Sequence, residues 1–473
     1  MILPIEFEKR MRDILGGEYG SFAAAMDTLP VRSLRVNTLK CTAENFEKSF
    51  GDKTTKLSFC SEGYIFENEH IGSHPLHHAG AIYVQEPAAM AAVECTEILP
   101  GMNILDVCAS PGGKSTQAAA KLCGEGVIVS NEIDRQRCST LAQNIERTGI
   151  KNAVVTNTNS YELGRAYRDI FDLVIVDAPC SGEGMMRKNP LAVSEWSIDN
   201  IEVCALRQAE ILENIAGCVR PGGRLLYSTC TFAPEENEMQ ICRFLAAHSD
   251  FHLMPVKECV KEVTADGLTA YNGVDFGEEL KLCRRFYPHI SRGEGQFMAL
   301  LVRDGAAEAV AEAQNEEKQK KGRKNQSSNR SENKVEENII RDFLLEVLTE
   351  EGICESEKYQ LLRDIGGDFF LATKLADTMP AGALRCPGVK IGEVRKGRVI
   401  PHHSFFMAYG RYFLRQIRLS VADDRVAKYL HGESIAASCE NGYAAVLIGD
   451  APVGGAKVTQ GEAKNYYPKG LRI

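Results

Sequence analysis

MNILDVCASPGGKSTQAAAKL, residues 102–122, is the stretch whose reading decides the fold. MNILDV reads as a strand, CASPGGK as a turn and KSTQAAAKL as a helix, the opening of a parallel α/β unit. Gly112 and Gly113 suit that turn, because a missing side chain permits unusual backbone angles and close approach of a ligand. Working outward, GVIVSNE (126–132) is a second strand, RQRCSTLAQNIERTG (135–149) a helix and AVVTNTN (153–159) a third strand. DLVIVDAP (172–179) and GRLLYSTC (223–230) are the fourth and fifth, with the helix LRQAEILENIAG (206–217) between them. QFMALLVR (296–303) closes the domain as an edge or returning strand. The pattern predicts a Rossmann-like α/β fold.

The turn narrows the ligand. A full GxGxxG is missing, and Cys108 stands where a Walker A loop needs its first glycine, so NAD and nucleoside triphosphates give way to another adenosyl cofactor. Lys114 begins the helix, and Asp106 is placed to organise the glycine turn. Glu132, twenty positions beyond Gly112, ends the second strand, where a carboxylate accepts hydrogen bonds from ribose hydroxyls or is simply solvated. Two thiols, Cys180 in IVDAPCSGEG and Cys230 in LLYSTCTFAPEE, each follow a strand end. A parallel sheet carries its chemistry at the carboxyl ends of its strands, so both thiols are expected to face one crevice. Two thiols beside a cofactor site point to covalent chemistry, with Asp177 and Pro179 placed to hold a planar base while one thiol attacks it. The competing reading of any thiol is a small buried hydrophobe, which fits Cys108, Cys123 and Cys204 better.

The 473 residues allow several structural units. A net charge of −9 argues against a general nucleic-acid coating protein and leaves room for a local basic face. Sixteen cysteines, none in a CxxC pair, fit a reducing cytosol and argue against zinc-ribbon and thioredoxin readings. The start, MILPIEFEKRMRDIL, holds no secretory apolar core; a cytoplasmic protein without a membrane span is expected.

FEKRMRDIL reads as an amphipathic helix, and RSLRVNTL and GYIFE as short strands of a mixed module, with Arg32, Arg35 and Lys40 adding positive charge beside a sheet or a solvated face. His74, His77 and His78 have no neighbouring ligand set for a metal, so a packing or substrate-orienting role is preferred. Arg187 and Lys188, after SGEGMM, are candidates for an RNA phosphate contact or lie in a solvated loop, and Trp196 supports that loop or stacks on RNA, support being preferred. Lys318, Lys320, Lys321, Arg323 and Lys324 lie in a polar stretch that follows an RNA backbone or serves as a tether. IIRDFLLEVL restarts helical periodicity, and RYFLRQIRLS with YAAVLIG predicts a final β-containing module with its own small core. KNYYPKGLRI joins cations to Tyr466 and Tyr467, a composition suited to structured RNA, or the two tyrosines instead seal the small core.

DVCASPGGKSTQAAA, VIVSNEID, DLVIVDAPCSGEG and LLYSTCTFAPEEN, in this order, resemble the cofactor and catalytic motifs of the Nop2/Sun family of RNA cytosine-5 methyltransferases. LPIEFEKRMRDILGGEY, SLRVNTLK and GSHPLHHAGAIYVQEPAAM resemble the amino-terminal region of its bacterial RsmF-like branch, and KNYYPKGLR its PUA-like carboxy-terminal module. The resemblance implies a class I methyltransferase Rossmann-like sheet with a small mixed α/β N-terminal module and C-terminal accessory modules, the last PUA-like. It implies Cys230 as the nucleophile at C6 of a cytosine, Cys180 as the thiol needed for release, and Asp177 on the base edge, with the Pro179 carbonyl as a further acceptor. S-adenosyl-L-methionine is the implied cofactor, held by Cys108, Ala109, Ser110, Pro111, Gly112, Gly113, Lys114, Glu132, Arg137 and Asp177. Asn159 stands where many relatives carry an aspartate facing adenine; an adenine contact and a turn role remain equally open.

These readings divide the chain into an N-terminal RNA-positioning module (1–92), a methyltransferase domain (93–303), a linker (304–338), an accessory domain (339–394) and a PUA-like RNA-binding domain (395–473). The implied product is 5-methylcytosine in 16S ribosomal RNA, within a small subunit or assembly intermediate, with no obligate protein partner and no metal. A catalytically silent RNA-binding or ribosome-assembly protein is the alternative.

Overall fold

Strand order in the central sheet puts both motif-bearing strand ends at one edge of a crevice. The computed structural model describes residues 2–50, 53–66, 71–305, 330–379 and 382–473. Its central domain runs β1 (Asn103–Asp106), α1 (Gly113–Lys121), β2 (Val127–Asn131), α2 (Arg135–Thr148), β3 (Ala153–Thr156), α3 (Ser160–Ala166), β4 (Phe171–Asp177), α4 (Ile198–Ile215), β5 (Val219–Thr229), α5 (Glu238–Ala247), β6 (Arg284–Phe286) and β7 (Gln296–Arg303). The strands lie in the order β6-β7-β5-β4-β1-β2-β3, the first five in chain order parallel. β7 is not an edge: it runs antiparallel between β5 and β6, with Phe251–Leu253 also paired to it. Its run Gln296–Leu301 is buried, which explains why it lacks the alternation of an edge strand.

Local sequence sets the helix limits. Asp134 caps α2 by accepting from the Arg137 amide at 2.7 Å, and Gly149 at φ +72° ends it. α4 begins earlier than its apolar periodicity suggests, because Ser197 caps it by accepting from the Asn200 amide.

The N-terminal module carries helices Ile5–Leu15 and Tyr19–Met26 and an antiparallel sheet ordered Thr54–Lys56, Gly63–Phe66, Ser33–Val36, Ile82–Val84. Helix Pro87–Glu94 runs through the expected boundary at residue 92 and packs into the core of the central domain. Arg35 and Lys40 do not form a solvated cationic face. Arg35 is buried against Gln85 and Thr116, and Lys40 Nζ donates to the carbonyls of Ala79, Arg147 and Pro452, joining three parts of the chain; Arg32 is exposed.

The basic stretch holding Lys318, Lys320, Lys321, Arg323 and Lys324 lies outside the described residues. The expected linker is too long at its far end, since helix Arg330–Val347 already spans residue 338 and buries Ile340, Phe343, Leu344 and Val347, one helical stripe. An antiparallel sheet of Gln360–Arg363, Asp368–Ala372, Gly388–Arg395 and Arg398–Pro401 follows, so the hairpin around residue 396 crosses the boundary expected at 394. Strand Leu384–Cys386 extends the central sheet by pairing with β3. The last module is a five-stranded sheet, Gln416–Leu419, Gly442–Ile448, Ala451–Thr459, Glu462–Asn465 and Ile435–Ala436. It does not have a private core: Ile417, Leu419, Tyr429 and Tyr467 pack in one cluster with Leu34, Val36, Phe46 and Tyr64 of the N-terminal module.

Histidines lie along this junction. His78 Nδ1 and the Tyr467 hydroxyl are 3.0 Å apart, and the His403 ring meets Tyr467 edge-on. His403 is buried, its Nδ1 has no hydrogen bond, and burial pushes its pKa down to about 3. An unfolded histidine protonates near 6.5, so the stability tied to neutral His403 is complete above that pH and is lost as pH falls toward 3. The loss at pH 5 is about 2 kcal/mol. Between pH 7 and pH 5 the Tm of the wild type should therefore fall by several degrees more than that of His403→Gln. Equal falls in the two melting series would reject the assignment.

Candidate active site

At the end of β1 the chain turns sharply into α1. Gly112 adopts φ +109°, and a side chain there would come within 3.2 Å of Leu141 Cδ1. Asp106 beneath the turn is buried; its Oδ2 accepts from Ser115 Oγ at 2.7 Å, while Oδ1 has no partner within the protein. Burial pushes its pKa up to about 7. Glu132, 3% exposed, turns one oxygen to the Asp134 amide at 2.9 Å. Arg137 spans the mouth, donating to the Ser110 carbonyl at 3.1 Å with its other nitrogen 3.4 Å from Glu132. An open glycine turn, a helix N-terminus, an orphaned buried carboxyl oxygen and a buried strand-end carboxylate form a donor and acceptor set that fits S-adenosylmethionine. Its methionine end would lie at the turn and its ribose at Glu132.

Lys114 reaches across the crevice to Asp177, Nζ to Oδ2 2.8 Å, and Asp177 Oδ1 accepts from Ser228 Oγ at 2.8 Å and Gln296 Nε2 at 3.3 Å. Beyond Asp177 the two thiols meet, Cys180 Sγ to Cys230 Sγ 3.2 Å, both half-buried. Contact with the Cys230 thiol, then burial, hold the Cys180 pKa well above the usual thiol value. Two carboxylates tie the loops reciprocally. Glu183, after Cys180, accepts from Thr231 Oγ1 and the Phe232 amide, each at 3.0 Å; Glu236, after Cys230, accepts from the Ser181 amide at 3.0 Å and from Gln208 at 2.8 Å. Gly184 is needed for this close approach, because a side chain would come within 2.6 Å of Gly295 Cα and 2.9 Å of the Cys230 carbonyl.

The crevice therefore brings together the stretch from Cys108 to Lys114, including Ala109, Ser110 and Pro111, with Glu132, Arg137, Asp177, Cys180 and Cys230. Pro179 borders it, but its carbonyl already accepts from Gln208 Nε2 at 3.0 Å. Asn159 is exposed and caps α3, accepting from the Glu162 amide at 2.9 Å, the turn role among its two readings. Arg187 cannot reach an RNA phosphate as expected: its side chain is 4% exposed, ion-paired to Glu294 at 2.8 Å and donating to Ala25, Thr28 and Gly293. Lys188, more open, stands 3.9 Å from the same carboxylate. Trp196 supports the loop through Glu183, Nε1 to Oε1 2.8 Å. Tyr467 is 3% exposed and is core rather than an RNA-stacking surface; Tyr466 is half-buried against Tyr443.

Cys123 is exposed rather than buried, whereas Cys204 is buried and Cys108 half-buried. Among the described residues, Cys60, Glu62 and Glu94 cluster closely enough for a metal, but Lys121 and Gln117 engage Glu94 at 2.8 and 2.9 Å. Glu183, Ser181, Gln208 and Glu236 escaped the reading of the sequence as working residues. Their signal was the polar run after each cysteine, SGEG and TFAPEEN, longer than a thiol alone requires.

The strand order with antiparallel β7 and the cofactor crevice define a class I methyltransferase fold. Residues 96–302 match the family model of 16S rRNA methyltransferase RsmB/F, residues 3–87 that of the N-terminal domain of 16S rRNA methyltransferase RsmF, and residues 416–473 that of the methyltransferase RsmF PUA domain. The chain belongs to the NOL1/NOP2/Sun family, in its RsmF-like branch. It is similar to the ribosomal RNA small subunit methyltransferase F of Pectobacterium atrosepticum, 35% identical over 317 residues, covering 64% of this chain and 63% of that one. The protein of the same description from Escherichia coli (strain SE11) is 37% identical over 255 residues, covering 51% of this chain and 53% of the relative. The chain thus spans between half and two thirds of these relatives. Among solved structures, a methyltransferase homolog protein from Pyrococcus horikoshii gives a TM-score of 0.57 at 30% identity, covering 63% of this chain and 94% of that one. NSun6 from the same organism, solved with SFG, gives 0.54 at 21% identity, covering 64% and 99%, a likeness of fold.

Proposed function

We propose that this protein transfers a methyl group from S-adenosylmethionine to C5 of a cytosine in small-subunit ribosomal RNA through a covalent Cys230 intermediate. The observation that carries the reading is the 3.2 Å approach of two thiols beside the Lys114–Asp177 pair. Cytosine C5 is a poor nucleophile until addition at C6 gives the ring enamine character. Cys230 gives up its thiol proton to solvent and its Sγ bonds to C6 as the C5–C6 π bond opens toward C5, while Asp177, oriented by Lys114 and Ser228, holds the polar edge of the base. The bound cofactor supplies an electrophilic methyl group. Loss of the C5 proton and breaking of the C6–S bond then restore the aromatic ring.

The two thiols take different parts in this proposal, Cys230 in attack and Cys180 in release. Contact with Cys230, then burial, raises the Cys180 pKa and favours its thiol form before attack. Cys180, beside the sulfur that bonds to the ring, is the candidate base for the C5 proton at release. The PUA-like module and the N-terminal module, fused through one core, would present the RNA to the crevice as a rigid unit. Among the described residues no helix is long and apolar enough to cross a membrane.

The test is incubation of the full chain with labelled S-adenosylmethionine and small-subunit RNA, free and in assembling subunits, followed by mass spectrometry of the RNA. Label is expected at C5 of one or a few cytosines. Cofactor binding without 5-methylcytosine in any preparation would favour a silent RNA-binding protein.

A further inference from the structure

Each cysteine is followed by a hydroxyl residue, Ser181 after Cys180 and Thr231 after Cys230, and the two hydroxyls lie 2.8 Å apart. Under them sits Glu236, fully buried. One of its oxygens accepts from Ser181 Oγ at 2.5 Å; the other accepts from the Ser181 amide at 3.0 Å and from Gln208 of α4 at 2.8 Å. Its own carbonyl accepts from the Tyr227 hydroxyl on β5 at 2.6 Å. Gln208 spends its second proton on the Pro179 carbonyl, one residue before Cys180. Glu236 therefore grips the Cys180 loop on both sides of the thiol while its backbone belongs to the Cys230 loop.

A buried carboxyl is costly unless its acceptor capacity is filled, and here every bond that fills it crosses between the two loops or fixes the helix beneath them. Packing alone would be served better by an apolar side chain of the same volume. Burial pushes the Glu236 pKa up to about 7, so the fold keeps a carboxyl where it is poorly solvated.

We infer that Glu236 is a positioning residue that sets the Cys180–Cys230 separation by latching the Cys180 loop to the Cys230 loop through Ser181 and Gln208. It touches neither base nor cofactor and acts through the thiols. Its value for catalysis rests on the proposed methyl transfer, but the latch itself does not, and this allows a separate test. Two thiols in contact are converted to a disulfide by a diazene oxidant, which takes two electrons and two protons and becomes the hydrazine; the rate falls steeply when the sulfurs move apart.

The experiment measures diamide-driven formation of the Cys180–Cys230 disulfide by peptide mass spectrometry in the full chain, without RNA or cofactor. Glu236→Ala should slow it by about tenfold or more, since displacements near 1 Å have large effects on reactive geometry. Glu236→Gln, which keeps an acceptor for Ser181, should recover most of the rate. Thermal unfolding and calorimetric titration with S-adenosylmethionine establish that the variants are folded. A folded Glu236→Ala protein that forms the disulfide at the wild-type rate would overturn the inference. If Glu236→Ala does not fold, Ser181→Ala and Gln208→Ala remove single strands of the latch: slower disulfide formation in either supports it, and unchanged rates in both overturn it. Absence of methyl transfer in the wild type would overturn the proposed function and leave this result intact.

Discussion

Cys230→Ala will form no covalent adduct with RNA and will lose at least about 10³-fold in kcat, while Cys180→Ala will form the adduct and fail to clear it. The two outcomes differ because the thiols, although in contact at 3.2 Å, are proposed to enter the reaction at different stages. Removing Cys230 removes the atom proposed to bond to C6, and Lys114 and Asp177 cannot replace it because they pair with one another at 2.8 Å. Removing Cys180 leaves attack possible but takes away the group proposed to accept the C5 proton at release. The check is a denaturing gel of wild type and both variants after incubation with small-subunit RNA and labelled S-adenosylmethionine, with the adduct peptide identified by mass spectrometry. Normal product from Cys230→Ala would remove it as the nucleophile. A folded Cys180→Ala protein that turns over without accumulating adduct would remove Cys180 from the release step.

What could be seen in the chain beforehand depended on the range of the interaction. The glycine turn, the strand ends and both cysteines were legible, because β–α alternation and residue type along a few positions determine where such groups stand in a parallel sheet. The fate of cations was not. Arg187 resembles a phosphate contact until Glu294, 107 positions later, closes on it. Lys40 resembles a surface charge until the carbonyl of Pro452, 412 positions away, is brought over it. Tyr467 in KNYYPK has an RNA-binding composition, yet His78 and Tyr429 of distant segments bury it. The same limit hid Glu236 and the strand Leu384–Cys386, whose value lies entirely in the partner strand it extends. Periodicity reports which face is buried; it carries no record of which distant segment buries it.

Arg285→Met should be the most destabilising single substitution in the methyltransferase domain, at about 3–5 kcal/mol, because it leaves a buried carboxylate without its cation. Arg285 and Glu238 are 2% and 0% exposed and form a bidentate pair at 2.7 and 2.5 Å. Arg285 also donates to the Phe232 carbonyl at 2.9 Å, two residues beyond Cys230, so the same side chain that neutralises Glu238 anchors the Cys230 loop. These two roles separate in a double variant. Arg285→Met/Glu238→Met removes both charges from the interior and should recover most of the stability, short of about 1–2 kcal/mol for the Leu268 amide and Phe232 carbonyl left unpaired. Methyl transfer should remain low in the double variant, because hydrophobic packing restores the fold without restoring the hydrogen bond that holds Phe232. Denaturant unfolding of the wild type, the single and the double variants, read beside kcat, checks both halves. A single variant as stable as the wild type would remove the ion pair as a major support, and a double variant with full activity would show that the Cys230 loop holds its position without Arg285.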